Sequence, residues 1–335
     1  MNYLKQDEKV TLVILITAAL IMVAVSVYIG TNNYNKGSVI NNRVYIIHAS
    51  GEIEHNFEEN YIKHYDKMGQ YDLHVYNPLL NSSSIVPNDW NIIANDIGML
   101  YNKYDAFVVI CGKDTLTYTA SALSFMFENL SKPIILTDGE LSSSLMLAFT
   151  NKIPEVMISS HSKLLRACRS IHKSIEHFVS PKYPELNHNN ALTRSNDVTQ
   201  IKFINPKIKI AVIKLFPGID DNYILNFINN ITIHAIVFET YGTGNGLATK
   251  KVISAIKQLS NKGIIMVAVS QCYDTSTIDM DMKLLEAGVL SGYDMTTSAA
   301  FAKLCFLLGN VEDKKLIRQL MKHSFRGEMS VNIKN

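Results

Sequence analysis

The sequence has almost no net charge. Its 335 residues include 32 Lys and Arg and 30 Asp and Glu, which gives a formal net charge of +2. No stripe of basic residues with interleaved aromatics is present, so the sequence lacks the electrostatic footprint of a nucleic-acid-binding protein. We therefore expect no nucleic-acid partner. The chain is long enough for two α/β domains, each with a buried core.

Cysteine is also scarce. The 4 cysteines are widely spaced, with no Cys-x-x-Cys pair and no histidine at ligand spacing. This pattern indicates neither a zinc site nor a disulfide framework, and it favours buried thiols. We expect no metal. The cysteines are Cys111, Cys168, Cys272 and Cys305.

Charge is absent from one long stretch near the N-terminus, "VTLVILITAALIMVAVSVYIG", residues 10–30. At about 1.5 Å per residue, a helix of this length can cross a hydrocarbon core of about 30 Å. A cleaved signal peptide and a buried helix are the alternatives, but the apolar region of a signal peptide is usually only about 7–15 residues long. We expect a single-pass membrane anchor at 10–30, between a tail at 1–9 and a tether at 31–42. Lysines on both sides leave the topology open.

Beyond the tether, short β-branched runs alternate with helical patterns, which is typical of doubly wound parallel sheets. The polar, proline-containing stretch 181–207 interrupts this alternation and is interpreted as a linker. The sequence thus predicts an α/β fold with two parallel-sheet domains, at 43–180 and 208–335, behind the transmembrane helix. Predicted strands are 44–47, 73–76, 106–111, 133–137, 155–159, 208–214, 235–239 and 264–269; predicted helices are 87–101, 118–130, 142–152, 223–229 and 249–262.

Three strand ends of the first domain carry small or polar residues. They are Ala49-Ser50-Gly51, 81–83 and 112–115. Because ligands of open parallel sheets gather beyond the carboxyl ends of the strands, these turns predict a cradle for an amino-acid zwitterion. Each also has a purely structural explanation, as a helix cap or a turn. The acid after Gly51, Glu52, would point at whatever approaches the turn.

A glycine-rich run in the second domain, "FETYGTGNG", lacks the GxGxxG spacing of a dinucleotide loop. Together with "NSSSIVPNDWNIIANDI", "CGKDTLTYTASALSFM", "KPIILTDGEL", "AGVLSGYDMTTSAAFAKLCFLLG" and "FRGEMS", it resembles the L-asparaginase family, specifically the type I branch of bacterial cytoplasmic enzymes. The resemblance covers residues 43 to 330. It implies hydrolysis of L-asparagine to L-aspartate and ammonia without a cofactor, in a homodimer or homotetramer.

The resemblance also assigns roles, several of them to altered residues. The nucleophilic threonine position is Glu52, the second catalytic threonine is Lys113, and the catalytic lysine is His172. Asp114 and Ser82 match the substrate-anchoring aspartate and serine. Two further matches complete the set: Tyr61 with the loop tyrosine that assists the nucleophile, and Asn245 with the asparagine that reaches the neighbouring subunit's site.

Glu52 and Lys113 cannot serve as hydroxyl nucleophiles, so the altered site predicts a pseudoenzyme that still binds L-asparagine or L-aspartate. The alternative is an active amidohydrolase with rebuilt chemistry, in which Glu52 is a general base toward water. We expect Glu52 and Lys113 to form an ion pair; the rival interpretation is two separately solvated side chains.

Two further matches concern regulation and modification. The family's second, allosteric asparagine site has an arginine where this chain has Glu239, although its cysteine matches Cys272. Without the arginine, a carboxylate ligand loses its best partner. Formal glycosylation sequons begin at Asn81, Asn129 and Asn230.

Overall fold

The structure is a computed structural model. It describes residues 42–53, 68–175, 177–181, 185–219, 222–224, 233–246, 249–272 and 280–330. The predicted anchor at 10–30 and Tyr61 lie outside these residues, as does most of the predicted helix 223–229. Within the described ranges, no helix combines the length and the apolarity that crossing a bilayer requires.

The first half of the described chain builds a six-stranded sheet in the order β2-β1-β3-β5-β6-β7. Its first five strands in this order run parallel, and only β7 is antiparallel to its neighbour β6. The central strands consist of apolar, largely β-branched residues that are buried on both faces, as parallel strands require. The strands are β1 Asn42–His48, β2 Gly69–Val75, β3 Ala106–Ile110, β5 Ile134–Thr137, β6 Val156–Ser160 and β7 Lys163–Arg166.

Three helices cover this sheet: α1 Pro87–Leu100, α2 Leu116–Met126 and α3 Leu141–Thr150. Helix α1 begins with proline at its first turn, and its buried residues Trp90, Ile93, Ala94 and Ile97 follow helical spacing. The Trp90 indole donates a hydrogen bond to Thr119 Oγ1 across 3.1 Å, which docks α1 on α2.

Several short elements differ from the sequence prediction. The helix predicted at 118–130 ends at Met126, because the next two residues form β4 Phe127–Glu128 and pair with β10 Gln200–Ile201. That second strand lies inside the predicted linker. A hairpin of β8 Ile171–Ser174 and β9 His177–Val179 was not predicted, and neither was β7.

The second half builds a four-stranded parallel sheet in the order β11-β12-β13-β14. Helix α6, Thr297–Asn310, is largely buried and packs against α2 of the first half, where Phe125 stacks on Phe306. The strands are β11 Ile210–Lys214, β12 Ala235–Thr240, β13 Ile265–Ser270 and β14 Val289–Ser291. The helices are α4 Lys250–Asn261, α5 Met282–Glu286, α6 Thr297–Asn310 and α7 Lys314–Leu320.

The segment 325–330 joins the two halves through buried charges. Lys303 on α6 donates to Glu328 across 2.7 Å, with both side chains fully buried. Arg326 Nε donates to the Ser124 carbonyl of α2 across 2.8 Å, and Arg169 donates to the carbonyl of Gly327. Such pairs add little net stability over apolar residues, but loss of one partner strands the other charge.

The cysteines agree with the prediction at three positions. Cys111, Cys168 and Cys305 are buried, and burial raises the pKa of each thiol to about 12. Cys272 is exposed, so the prediction of a buried thiol is wrong there. It follows the end of β13, where the chain has already left the sheet.

Candidate active site

The turn after β1 is fixed against the turn after β3. The amides of Ala49 and Ser50 both donate to the Ile110 carbonyl across 3.1 Å, and the Gly112 amide donates to Ser50 Oγ across 3.0 Å. Gly51 has φ +82°, and a Cβ there would lie 3.1 Å from the backbone of Gly112. Only glycine fits this approach without strain. The turn therefore holds Glu52 beside the residues that follow Gly112.

Ser82 is held over the same turn. It begins a short 3-10 helix, Ser82–Ser84, which Asn81 caps by accepting a hydrogen bond from the Ser83 amide across 3.1 Å. A Cβ on Gly112 would lie 2.5 Å from Ser82 Oγ, and Thr115 Oγ1 donates to the Ser82 carbonyl across 2.7 Å. The absence of a side chain at Gly112 thus leaves the space that Ser82 occupies.

A cavity of about 540 Å³ lies where these turns meet, beyond the carboxyl ends of β1, β3 and β5. It brings together four of the predicted site residues, and sequence reasoning missed four others that follow β5 and β6. Because those strands had been predicted, the strand-end rule could also have identified their following residues. The lining residues are Gly51, Glu52, Ile53, Ser82, Gly112, Lys113, Asp114, Asp138, Gly139, Glu140 and His161.

The other predicted site residues do not line this cavity. Tyr61 lies outside the described residues. Asn245 is exposed in the turn after β12, where its carbonyl accepts a hydrogen bond from the Tyr241 amide across 2.9 Å. His172 lies on β8 and donates through Nε2 to the main-chain oxygen of Lys113 across 2.7 Å. It therefore contacts the main chain of a lining residue without itself lining the cavity.

Negative charge predominates in the cavity lining. The lining contains four carboxylates, those of Glu52, Asp114, Asp138 and Glu140, and one lysine, Lys113. Glu140 Oε2 accepts a hydrogen bond from the His161 amide across 3.1 Å. For the other four charged side chains, the hydrogen bonds and ion pairs of the described residues include no partner.

The predicted ion pair between Glu52 and Lys113 is wrong. Across the described part of the chain, no ion pair within 4.0 Å joins these two residues. Glu52 is exposed and Lys113 is half-buried in an open cavity. Both side chains are accessible to solvent, so neither needs the other to offset desolvation. The rival interpretation of two separately solvated side chains describes the site.

Glu239, at the position of the expected allosteric arginine, has a structural partner. Its carboxylate accepts a hydrogen bond from Thr297 Oγ1 across 2.6 Å. Thr297 is the first residue of α6, so the carboxylate lies at the positive end of the helix dipole. The cysteine matched to the same expected site, Cys272, packs against Gly242. A Cβ on Gly242 would lie 2.6 Å from the Cys272 sulfur.

Metal-ligating side chains do not converge in the described ranges: no group of three or more His, Cys, Asp or Glu residues could hold an ion.

Comparison with known proteins gives consistent matches over this fold. A family model described as "Asparaginase, N-terminal" matches residues 43–199, and one described as "Glutaminase/Asparaginase C-terminal domain" matches 209–321. L-asparaginase 1 of Escherichia coli K12 is 33% identical over 297 residues, which is 80% of this chain and 87% of that protein. The crystal structure of L-asparaginase I from Vibrio cholerae matches with a TM-score of 0.79 and 33% identity, covering 87% of this chain and 100% of that one.

A relative with a different name is nearly as similar. The 60 kDa lysophospholipase of Mus musculus is 32% identical over 286 residues, which is 76% of this chain but 50% of that protein. The same scaffold therefore occurs in proteins named for different activities, and the residues of the site must decide what this chain does.

Proposed function

The chain belongs to the asparaginase family, and we propose that it is a membrane-anchored pseudoenzyme of that family, which binds an amino-acid-type ligand without hydrolysing it. One observation carries the proposal. The cavity keeps Ser82 and Asp114, but it has Glu52 and Lys113 where the resemblance implies the two catalytic threonines.

The proposal rests on what acyl transfer needs. A threonine hydroxyl, once a base has taken its proton, attacks the amide carbonyl and forms an ester. A carboxylate at position 52 would have to form an anhydride, and an ammonium group at position 113 offers no hydroxyl. Ser82 carries the one hydroxyl among the described lining residues, and the resemblance gives it an anchoring role. Residues that act as one catalytic unit have non-additive effects, so loss of one of them already removes most of the rate enhancement.

Binding needs less than catalysis. The Asp114 carboxylate suits the α-ammonium group of an amino acid, and the Ser82 hydroxyl can donate a hydrogen bond to its α-carboxylate. A cavity of about 540 Å³ has room for L-asparagine or L-aspartate. Neither the Asp114 carboxylate nor the Ser82 hydroxyl requires a cofactor for these contacts.

A second candidate function is amide hydrolysis by a rebuilt mechanism. The observation in its favour is that Glu52 lines the cavity with no hydrogen-bond or ion-pair partner among the described residues, so its carboxylate is available as a general base toward water. This mechanism differs from that of the family, because water attacks the amide and no ester forms.

Ammonia release and ligand binding, measured together on the full-length chain, separate the two functions. The pseudoenzyme should bind L-asparagine in calorimetry without releasing ammonia from L-asparagine or L-glutamine, and Asp114→Asn should weaken the binding. Glu312→Gln, an exposed change outside the cavity, is the matched control. Ammonia release that disappears in Glu52→Gln would instead establish the rebuilt hydrolase. Absence of both binding and ammonia release would exclude both functions.

The anchoring part of the proposal rests on the uncharged stretch 10–30. The full-length chain should remain with membranes after an alkaline carbonate wash, whereas deletion of residues 1–36 should release it. Release of the full-length chain would contradict the proposed anchor. We also propose a homodimer or homotetramer, in which Asn245 reaches the neighbouring subunit's site; light scattering that gives a monomer mass would refute this.

A further inference from the structure

The distribution of charge in the cavity bears on which amino acid it accepts. The site itself is the cavity at the ends of β1, β3 and β5, with Ser82 and Asp114 as the expected anchors. Once Asp114 is assigned to the α-ammonium group, three carboxylates remain in the lining: Glu52, Asp138 and Glu140. One ammonium group, that of Lys113, opposes them.

A ligand side chain must therefore enter a region with an excess of negative charge. The side-chain carboxylate of L-aspartate would add another anion to it, and the side-chain amide of L-asparagine would add no charge. A side-chain ammonium group is attracted by the same three carboxylates. Complementary charge of this kind contributes mainly to selectivity between ligands.

We propose that the cavity selects an α-amino acid with a cationic side chain over L-asparagine and L-aspartate. This inference rests on the proposed function, since it assumes that the cavity binds an amino acid at all. L-2,4-diaminobutyrate is the matched probe, because its terminal ammonium group replaces the amide of L-asparagine at the same chain length.

Glu52 has the leading part in this selectivity. It stands on the turn fixed by Gly51, and its main-chain oxygen packs so closely on Gly139 that a Cβ there would lie 2.5 Å away. The backbone is thus held from both sides while the carboxylate has no partner among the described residues. Lys113 acts in the opposite sense, because its ammonium group repels a cationic side chain.

The test is calorimetric titration of the full-length chain with L-2,4-diaminobutyrate, L-asparagine and L-aspartate. The diamino acid should bind about fivefold more tightly than L-asparagine, a modest factor because the cavity is open to water. The preference should shrink between about 0.01 M and about 1 M salt, as the Debye length falls from about 30 Å to about 3 Å.

Three variants identify which side chains cause the preference for the diamino acid. Glu52→Gln should remove most of the preference, Lys113→Gln should increase it, and the distant Glu312→Gln should leave it unchanged. Asp138→Asn is a second acid-to-amide change in the cavity if Glu52→Gln fails to fold, which a thermal melt without ligand reveals.

Each outcome decides the matter. L-asparagine or L-aspartate binding as tightly as the diamino acid would overturn this inference and leave the proposed function standing. A preference for the diamino acid that survives both Glu52→Gln and Asp138→Asn would overturn its electrostatic origin. Failure of all three ligands to bind would overturn the inference and the proposed function together.

Discussion

His172 Nε2 donates a hydrogen bond to the main-chain oxygen of Lys113 across 2.7 Å, while its ring rests on Phe178 with the centroids 4.2 Å apart. The acceptor belongs to a residue of the cavity wall, and the donor belongs to the β8–β9 hairpin. His172, which the resemblance assigns to the catalytic lysine position, thus ties two elements together. We interpret His172 as a positioning residue.

Replacing His172 with Ala should lower the free energy of unfolding by about 0.5–1.5 kcal/mol, because one hydrogen bond and its ring contact are lost. Urea denaturation measures the change. His172→Gln, whose amide can reach the same carbonyl, should recover part of it. The exposed His188→Ala is the control and should stay within about 0.5 kcal/mol of the native chain. Equal effects at both histidines would contradict the positioning role.

Restoring the family's residues should create asparaginase activity only in combination. The triple change Glu52→Thr, Lys113→Thr and His172→Lys should release ammonia from L-asparagine, whereas each single change should not. The reason is that nucleophile, second threonine and lysine act as one unit, and an incomplete unit loses several powers of ten in rate. A single change with activity equal to the triple would show that the missing groups are not what prevents hydrolysis.

Because Glu52 and Lys113 form no ion pair, substitutions at the two positions should change the free energy of unfolding independently of each other. In a double-mutant cycle with Glu52→Gln and Lys113→Gln, the coupling energy should be below about 0.5 kcal/mol. Chemical denaturation of the four chains gives this value. A coupling of about 1 kcal/mol or more would mean that the two charges meet in solution.

Lowering the pH should remove more stability through the buried pair Arg169–Asp294 than through the exposed pair Arg43–Asp72. About half of each side chain in the exposed pair is accessible to solvent. Burial alone would raise the pKa of the Asp294 carboxyl, but the nearby Arg169 guanidinium and the hydrogen bond from the Ser330 amide hold this pKa below its ordinary value. A lowered folded-state pKa stabilises the fold above the unfolded pKa, and this contribution disappears as the pH falls through the folded pKa.

Asp294→Asn should therefore cost about 3–5 kcal/mol at neutral pH, because it removes the carboxylate that is paired with the buried guanidinium. Asp72→Asn, its exposed control, should cost less than about 1 kcal/mol. Between about pH 5 and about pH 2, the native chain should lose more stability than Asp294→Asn does. Urea midpoints measured across this range provide the check, and parallel curves would refute the assignment.

Local sequence patterns predicted the central strands because each strand is a short apolar run that can be recognised without knowing its pairing partners. The apolar runs that became β1, β3, β5 and β6 are buried in the structure, and the turns that follow β1 and β3 do meet at the cavity. Elements held by distant partners were missed: β4 interrupts a helical pattern because it pairs with β10, some 70 residues later in the chain.

The Glu52–Lys113 prediction failed for another reason. Opposite charges at facing positions indicate attraction, but only a dry site makes a pair more favourable than two hydrated ions. The openness of the cavity depends on how the turns after β1, β3 and β5 are spaced, which no single segment specifies. The role of His172 was equally hidden, because its acceptor is a main-chain oxygen 59 residues away in the chain.

The hydrogen bond from Arg326 to the Ser124 carbonyl can form only late in protein synthesis, long after Ser124 has been added to the chain. The two residues are 202 positions apart, and a ribosome that adds about 5–20 residues per second needs on the order of 10–40 s to make that stretch. Helix α2 is complete near the start of this interval, but α6, Thr297–Asn310, its buried packing partner, is translated only near the end of it. The surface of α2 that packs on α6 therefore lacks this partner for most of the interval, during which nascent-chain chaperones can reach it.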